Sequence, residues 1–517
     1  MHDDQASSAR ANSIADDYDL LPYPSMPYPH TQPQRLAAAA ILHGLDPAPP
    51  QRARVLELGC AAAGNIIPLA ARFPESRFLG VDLARRHIDE AGEQIAVLGL
   101  GNIEVRQGDI AQLAFGPDAF DYVICHGVFS WAPPAAQEAI LRICGESLTA
   151  NGVALISYNV LPGWRLRSVI RDICMRHAGV DGAPQERVKR VRAILADITQ
   201  FSPPGDPYGL LLRSEAKRIA RRPGAYILGE FLTPDNAPCY FSDFIERARR
   251  HDLAYVCEAD FEASVPATIG SAARAKIAEH AGDERDNIEQ YVDYFTGRTF
   301  RSSVLTRGVG TLHERDYSQL DRLHLAANFR PDPKAGPGAY RDSLRRTLRT
   351  ETPNLDRLLR QLSEAFPDTV TLAELVDGCA EADQRRIRET LALLVQKGQV
   401  ELSAIPIRVG RASATFPLLW PVARLEARVG RPWMTSLTHT PTLVQPAVAA
   451  LATHLDGAHN QAALVAAFAD ALRRGLVKAP ELEGNPAAAG IEQAAEDYVR
   501  RVLAYLEQRA MLQPATW

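Results

Sequence analysis

Between Arg54 and Asn159, short apolar runs alternate with segments in which apolar residues recur every three or four positions. "RVLELG", "RFLGVDL", "IEVRQGDI", "FDYVICHGV" and "GVALISYN" have the length and β-branched content of buried strands, whereas "GNIIPLAARF", "RRHIDEAGEQIAVLGL" and "AAQEAILRICGESL" carry helical spacing. Strands alternating with helices predict an α/β fold with a doubly wound, Rossmann-like parallel sheet. Ligands of such sheets sit at the carboxyl ends of the strands.

The flanks have other patterns. Residues 1–50 read as an N-terminal arm and helix: "YDLLPYPSMPYPHTQPQRL" has prolines at 22, 24, 27, 29 and 33, which predict an extended arm, either packed on the surface or lying over a site, before a helix over Leu36 to Leu45. The doubly wound domain is assigned to 51–180 and a separate α+β middle domain to 181–330, with the helical "QERVKRVRAILADITQF" leading into "GEFLTPDNAPCYFSDFIERARRHDLAYVCEADF". "NFRPDPKAGPGAYRD" reads as a linker. Residues 340–517 are mostly helical, and "NLDRLLRQLSEAF" through "VELSAIPIRVG" follows a winged-helix order that the last hundred residues loosely repeat, predicting two such modules.

Composition narrows the function classes. The 517 residues suit about three domains, and the formal net charge of −5 with no long Lys or Arg run lacks the footprint of a nucleic-acid binder. Seven scattered cysteines without a CxxC pair indicate neither a zinc site nor a disulfide framework. "MHDDQASSAR" does not fit a signal peptide, and no apolar run reaches the ~20 residues of a membrane span, so a cytoplasmic protein without membrane insertion is expected.

The candidate chemistry lies at the strand ends. "VLELGCAAAGN" runs a strand into small residues, so Gly59, Cys60, Ala61, Gly64 and Asn65 form a loop that lets backbone approach a ligand at a helix amino terminus. Glu57 stands just inside that strand's end, where dinucleotide enzymes keep an apolar residue. Asp82, followed by Leu83, ends the second strand, where a carboxylate takes both hydroxyls of a ribose; Asp109, followed by Ile110, ends the third, suited to an adenine amino group. At the ends of strands four and five, "ICHGVFSWAPP" and "SYNVLPGW" offer His126, Trp131, Tyr158, Asn159 and Trp164, with His126 counted both as cofactor-binding and as catalytic.

Three carboxylates at successive strand ends around a small-residue loop resemble the class I S-adenosylmethionine (SAM)-dependent methyltransferases. Ala61 and Ala63 depart from the commoner glycine-rich loop. The stretches "VLELGCAAAGNIIPLA", "CHGVFSWAPP", "SYNVLPGWRLRSVIRDICMRH" and "APCYFSDFIERARRHDLAYVCEADF" further resemble bacterial methyltransferases that carry a methyltransferase regulatory domain, including the rickettsial-type protein lysine methyltransferases. The resemblance implies SAM as cofactor and lysine N-methylation of a protein substrate. It also assigns Tyr240 and Phe241 to the regulatory domain.

The expected reaction is transfer to a lysine amine by in-line displacement, with aromatic walls around the amine and His126 as a base or as part of the pocket. Arg298 and Arg301 are expected on a solvated surface, with an acidic substrate as the other option. The C-terminal modules suit substrate docking or a homodimer. A small-molecule methyltransferase and a SAM-binding scaffold with little catalysis remain the alternatives.

Overall fold

The computed structural model describes residues 25–260, 269–308, 315–350, 352–477 and 490–514. The five expected strands are present as β1 (Arg54–Leu58), β2 (Arg77–Asp82), β3 (Ile103–Gln107), β4 (Phe120–Cys125) and β5 (Leu148–Asn159), all parallel where they pair. Two further strands, β6 (Leu253–Glu258) and β7 (Phe300–Arg307), extend the sheet to the order β3-β2-β1-β4-β5-β7-β6, with β7 antiparallel to both neighbours.

These two strands lie within the stretch expected as the middle domain and join it to the sheet of the first. A sheet ending at β5 would leave a long edge of unpaired backbone groups; β7 pairs with it from Val153↔Thr306 to Asn159↔Phe300. What does stand apart from the sheet is a helical insertion. Helices Gly163–Ala178, Pro184–Phe201 and Pro207–Ala220 and the turn Leu228–Leu232 bury their apolar faces against one another around Val191, Leu195, Ala216 and Ile219.

Period-two alternation sends the strand residues to two cores. Val55, Tyr122, Ile124, Val153 and Leu155 face one side, and Leu56, Val123, Ala154, Ile156 and Tyr158 face the other, beneath helices Pro134–Ser147 and Phe241–Arg249. The N-terminal helix belongs to the first side. It runs Pro33–Leu42, three residues ahead of the expected start, because a proline in the first turn loses no helical hydrogen bond. All but Arg35 are buried, and Gln34 O accepts from Ala404 N at 3.0 Å, so the helix is wedged between the sheet and the C-terminal region. A run of alanines from Ala37 to Ala40 suits a helix packed on both sides.

The C-terminal region has two helical modules. Helices Pro353–Ala365, Leu372–Val376 and Glu381–Gln396 accompany a small sheet of His324–Ala326, Val370–Thr371 and Glu401–Ser403. The second module has helices Pro421–Arg428, Pro446–Ala452, Gln461–Arg473 and Ile491–Gln508 and a hairpin pairing Trp433–Thr435 with Pro441–Leu443. The stretch expected as a linker is also folded: Arg330–Pro331 and Ala339–Arg341 pair within a sheet completed by Thr347–Arg349.

Candidate functional site

The loop after β1 has the tight form that its composition left open. Gly59 has φ +74°, and a Cβ there would overlap Val128, while Ala61 and Ala63 hold left-handed φ values of 46° and 54°. Such values are unfavourable for alanine and persist where the surroundings hold them. Asp82 does this for Ala61: its Oδ2 accepts from Ala61 N at 2.8 Å, and its Oδ1 accepts from Ala84 N at 2.9 Å with His87 Nδ1 at 3.4 Å. The carboxylate has further lone pairs and remains partly exposed, so it can still receive a ligand's hydroxyls. Asp109 caps the turn Ile110–Gln112 through Ala111 N at 2.9 Å, its other oxygen having a long contact of 3.5 Å with Gln112. Leu83 is 38% exposed beside Asp82, whereas Cys60 is buried against Gly80.

Glu57 is the buried member of the set. Asn65 Nδ2 donates to its Oε1 at 2.7 Å, and Oε2 has no hydrogen-bond partner among the described residues. Burial pushes the carboxyl up from 4.5 to about 8, with Asp82 adding to the effect and Asn65 opposing it. A buried acid oxygen without a partner, in a loop edged by two other carboxylates, fits a ligand that brings positive charge together with hydroxyls and an amine.

A stability test follows from Glu57. Because its folded pKa lies above 4.5, the ligand-free protein loses stability from this group as pH rises from 4.5 to about 8, and nothing below that window. Glu57→Gln keeps an oxygen for Asn65 and removes the ionisation. It is expected to melt above the parent at pH 8.5 and together with it at pH 4. Parallel melting curves at both pH values would contradict the assignment.

The N-terminal arm lies over this loop. Gly64 N donates to Ser25 Oγ at 2.8 Å, and the backbone of Ser25 occupies the space that a Cβ on Gly64 would need. Tyr28 N and Thr31 Oγ1 both donate to Asn65 Oδ1, at 3.0 and 2.9 Å. The arm then brings Tyr28 and His30 onto His126, with ring centroids 4.2 and 4.7 Å away, and His30 Nε2 lies 3.3 Å from His126 Nδ1. Phe300 on β7 closes the other side at 5.9 Å. Burial pushes His30 down to about 4, with Arg35 adding to it, and holds His126 well below the ordinary range, with His30 adding to it. Of the two readings of the arm, residues 25–32 take the one over the site; the part before Ser25 lies outside the described residues.

The other expected site residues divide. Tyr158 is a correction: its neighbours Ser157 and Asn159 face the opposite side of β5, and Tyr158 stacks on Phe244 at 4.0 Å with its hydroxyl 3.1 Å from Ser303 Oγ, inside the second core. Asn159 stays at the strand end, with its backbone N donating to Ser130 Oγ at 2.8 Å and its Nδ2 without a partner among the described residues. Trp131 meets Trp164 edge-on at 6.0 Å, and Trp164 Nε1 donates to Asn236 Oδ1 at 2.9 Å.

Arg301 also departs from expectation. Its side chain is wholly buried, bonded to Glu258, Glu289 and Asp293 at 2.7 to 3.0 Å, with Arg298 near Glu289 and Asp293. Phe241 lies beneath that guanidinium and is buried, while Tyr240 only borders the helix Phe241–Arg249.

Sequence reasoning missed Ser25, Tyr28 and His30 as individual contacts, though "PYPHTQ" marked the arm. It missed His439 altogether. This residue of the second C-terminal module places Nε2 2.9 Å from Asn65 Oδ1.

A family described as "Methyltransferase domain" matches residues 55–152, "Predicted methyltransferase regulatory domain" matches 223–307, and "PKMT, C-terminal winged helix domain" matches 416–511. An uncharacterized protein of Rickettsia prowazekii, RP789, is 36% identical over 291 residues, 56% of this chain and 52% of that protein, so the match spans about half of the relative's length. A second, RP028, is 35% identical over 242 residues, 47% of this chain and 96% of that protein. Among solved structures, PKMT2 from Rickettsia typhi in complex with AdoHcy superposes with a TM-score of 0.84 at 23% identity, covering 95% of this chain and 100% of that one, a likeness of fold. The chain belongs to this family of methyltransferases, in which a class I SAM-dependent methyltransferase domain is joined to a methyltransferase regulatory domain and a C-terminal winged helix.

Proposed function

We propose that the chain transfers methyl groups from SAM to lysine side-chain amines of protein substrates by in-line displacement. The observation that carries this is the convergence of Glu57, Asp82 and Asp109 at one sheet edge, beneath an aromatic and imidazole wall of Tyr28, His30, His126 and Phe300. When bound, the cofactor supplies an electrophilic sulfonium methyl. Glu57 offers its unpartnered Oε2 to positive charge, Asp82 receives the ribose hydroxyls, and Asp109 receives the adenine amine. Gly59, Cys60, Ala61, Gly64 and Asn65 shape the cradle, with Leu83 and Ile110 along its rim.

Lysine has an ordinary pKa near 10.4, so only about one molecule in a few thousand is neutral at pH 7. A dry aromatic wall disfavours the ammonium, so the amine gives up its proton towards water, and a neutral imidazole can accept a hydrogen bond from the free amine and orient it. His126 is neutral at physiological pH, and its tautomer is tied to that of His30: if His126 Nδ1–H donates across the 3.3 Å gap, His126 Nε2 is left as an acceptor. Asn159 Nδ2 is a donor without a partner among the described residues at the end of β5, and Trp131 and Trp164 pack edge-on beyond the ends of β4 and β5. The name of PKMT2, a protein of the same fold, supports lysine in a protein as acceptor. A cytoplasmic setting and a homodimer belong to the same proposal; no described helix is long and apolar enough to cross a membrane.

The test is transfer of labelled methyl from SAM into fractionated lysate of the source cells, followed by amino-acid analysis. Label in methyl-lysine of discrete proteins is expected, falling about a hundredfold or more for His126→Ala at unchanged SAM affinity. A small-molecule acceptor is the second reading, favoured by the arm's closure over the loop at Gly64 and Ser25. Label confined to small molecules would establish it, and SAM binding without any transfer would leave a scaffold.

A further inference from the structure

The hairpin of the second C-terminal module ends in a turn that lies against the methyltransferase domain. Within it, Ser436 N donates to Thr440 O and His439 N to Ser436 O, leaving His439 in a left-handed conformation with φ 62°. Three successive residues of this turn touch the other domain. Arg72 donates to Leu437 O at 2.8 Å, Gln32 Nε2 to Thr438 O at 3.1 Å, and His439 Nε2 reaches Asn65 Oδ1 at 2.9 Å. Farther along, Arg431 pairs with Glu90 at 2.8 Å.

The protonation of this contact is determined by its surroundings. Asn65 Oδ1 receives the Tyr28 backbone N–H, the Thr31 hydroxyl proton being shared with Tyr28 O, and Asn65 Nδ2 donates to Glu57, so the amide orientation is set and His439 Nε2 must carry a proton. His439 is 2% exposed, and burial, with Arg72 adding to it, pushes it down to about 3, so it is a neutral donor. One amide therefore joins three parts of the chain: the arm, the C-terminal hairpin and the buried carboxyl of the methyl-donor site.

We propose that the C-terminal hairpin is part of the methyl-donor site, with His439 as a positioning residue that holds Asn65, and through it Glu57, in the geometry that receives SAM. This rests on the SAM reading of the site. By linkage, whatever the hairpin contributes to SAM binding, bound SAM contributes equally to docking of the hairpin. The C-terminal module thereby reports cofactor occupancy to the surface it presents, and a ligand that lifts the hairpin lowers SAM affinity.

The experiment compares full-length wild type, His439→Asn and His439→Gln by SAM calorimetry and by hydrogen exchange at residues 433–443. Asn tolerates the left-handed backbone and cannot span the gap to Asn65, whereas Gln can return an N–H donor at similar reach. The Asn variant is expected to bind SAM about tenfold more weakly, and the Gln variant to recover most of the loss. SAM is expected to slow exchange in the hairpin of the wild type and much less in the Asn variant. Equal SAM affinity in all three proteins, or equal loss in both variants, would overturn the positioning role. Hairpin exchange indifferent to SAM would overturn the coupling. A wild type that binds no SAM would instead overturn the methyl-donor reading, and this proposal with it.

Discussion

Asp82→Ala is expected to weaken SAM binding about a hundredfold, through two losses that share one side chain. The carboxylate is the proposed partner of the ribose hydroxyls, and it also pins the loop that carries the rest of the cradle. Its Oδ2 holds Ala61 N at 2.8 Å, at a residue whose φ of 46° is unfavourable for alanine. Without that acceptor, Ala61 is free to relax to negative φ, which moves the backbone a ligand would contact. Asp82→Asn separates the two losses. Its amide oxygen can keep the Ala61 bond, while its charge is gone, so an intermediate affinity is expected. Calorimetric titration with SAM checks the series; an alanine variant within threefold of wild type would remove Asp82 from the site.

Arg301→Met is expected to destabilise the fold by about 3–5 kcal/mol, because it leaves three carboxyls buried without their shared cation. Arg301 contacts Asp293 through Nε at 2.9 Å, Glu258 through Nη1 at 2.7 Å and Glu289 through Nη2 at 3.0 Å. Arg298 lies 3.4 Å from Asp293 and cannot serve all three acids. The pattern of pKa values fits that shortage: burial pushes Asp293 up to about 6 despite Arg301 and Arg298, while Glu258 is held below its ordinary range, the two arginines and Ser302 N outweighing burial. The cluster joins β6, β7 and the helix Arg285–Thr296, and the neighbouring Phe300 forms a wall of the site. Urea unfolding should show the lower midpoint. A change below about 1 kcal/mol would mean that the acids simply protonate or hydrate on losing Arg301.

The two residues show how far a linear reading reaches. The place of Asp82 at the end of β2 was legible because strand, carboxylate and helix follow one another within a dozen residues, and local periodicity carries that information. Arg301 was not, because its acids come from β6 and from the helix preceding β7, and nothing in "GRTFRSSVLTR" distinguishes a solvated arginine from one enclosed by distant carboxylates. Tyr158 failed for a different reason. Strand parity was available in "SYN", where Tyr158 and Asn159 must face opposite sides, and only the choice of side needed the second core to be known.

The chain's own pattern determined the parallel half of the sheet, the loop after β1, the three acidic strand ends and the winged-helix order of the C-terminal region. These rest on hydrophobic period and on residues that are close in sequence, which bias the backbone before any domain packs. Tertiary structure alone decided that β6 and β7 complete the sheet, that the arm brings His30 to His126, and that a histidine 374 residues downstream reaches Asn65. Those contacts depend on which surfaces become buried together, and burial is a property of the assembled chain that no local segment encodes.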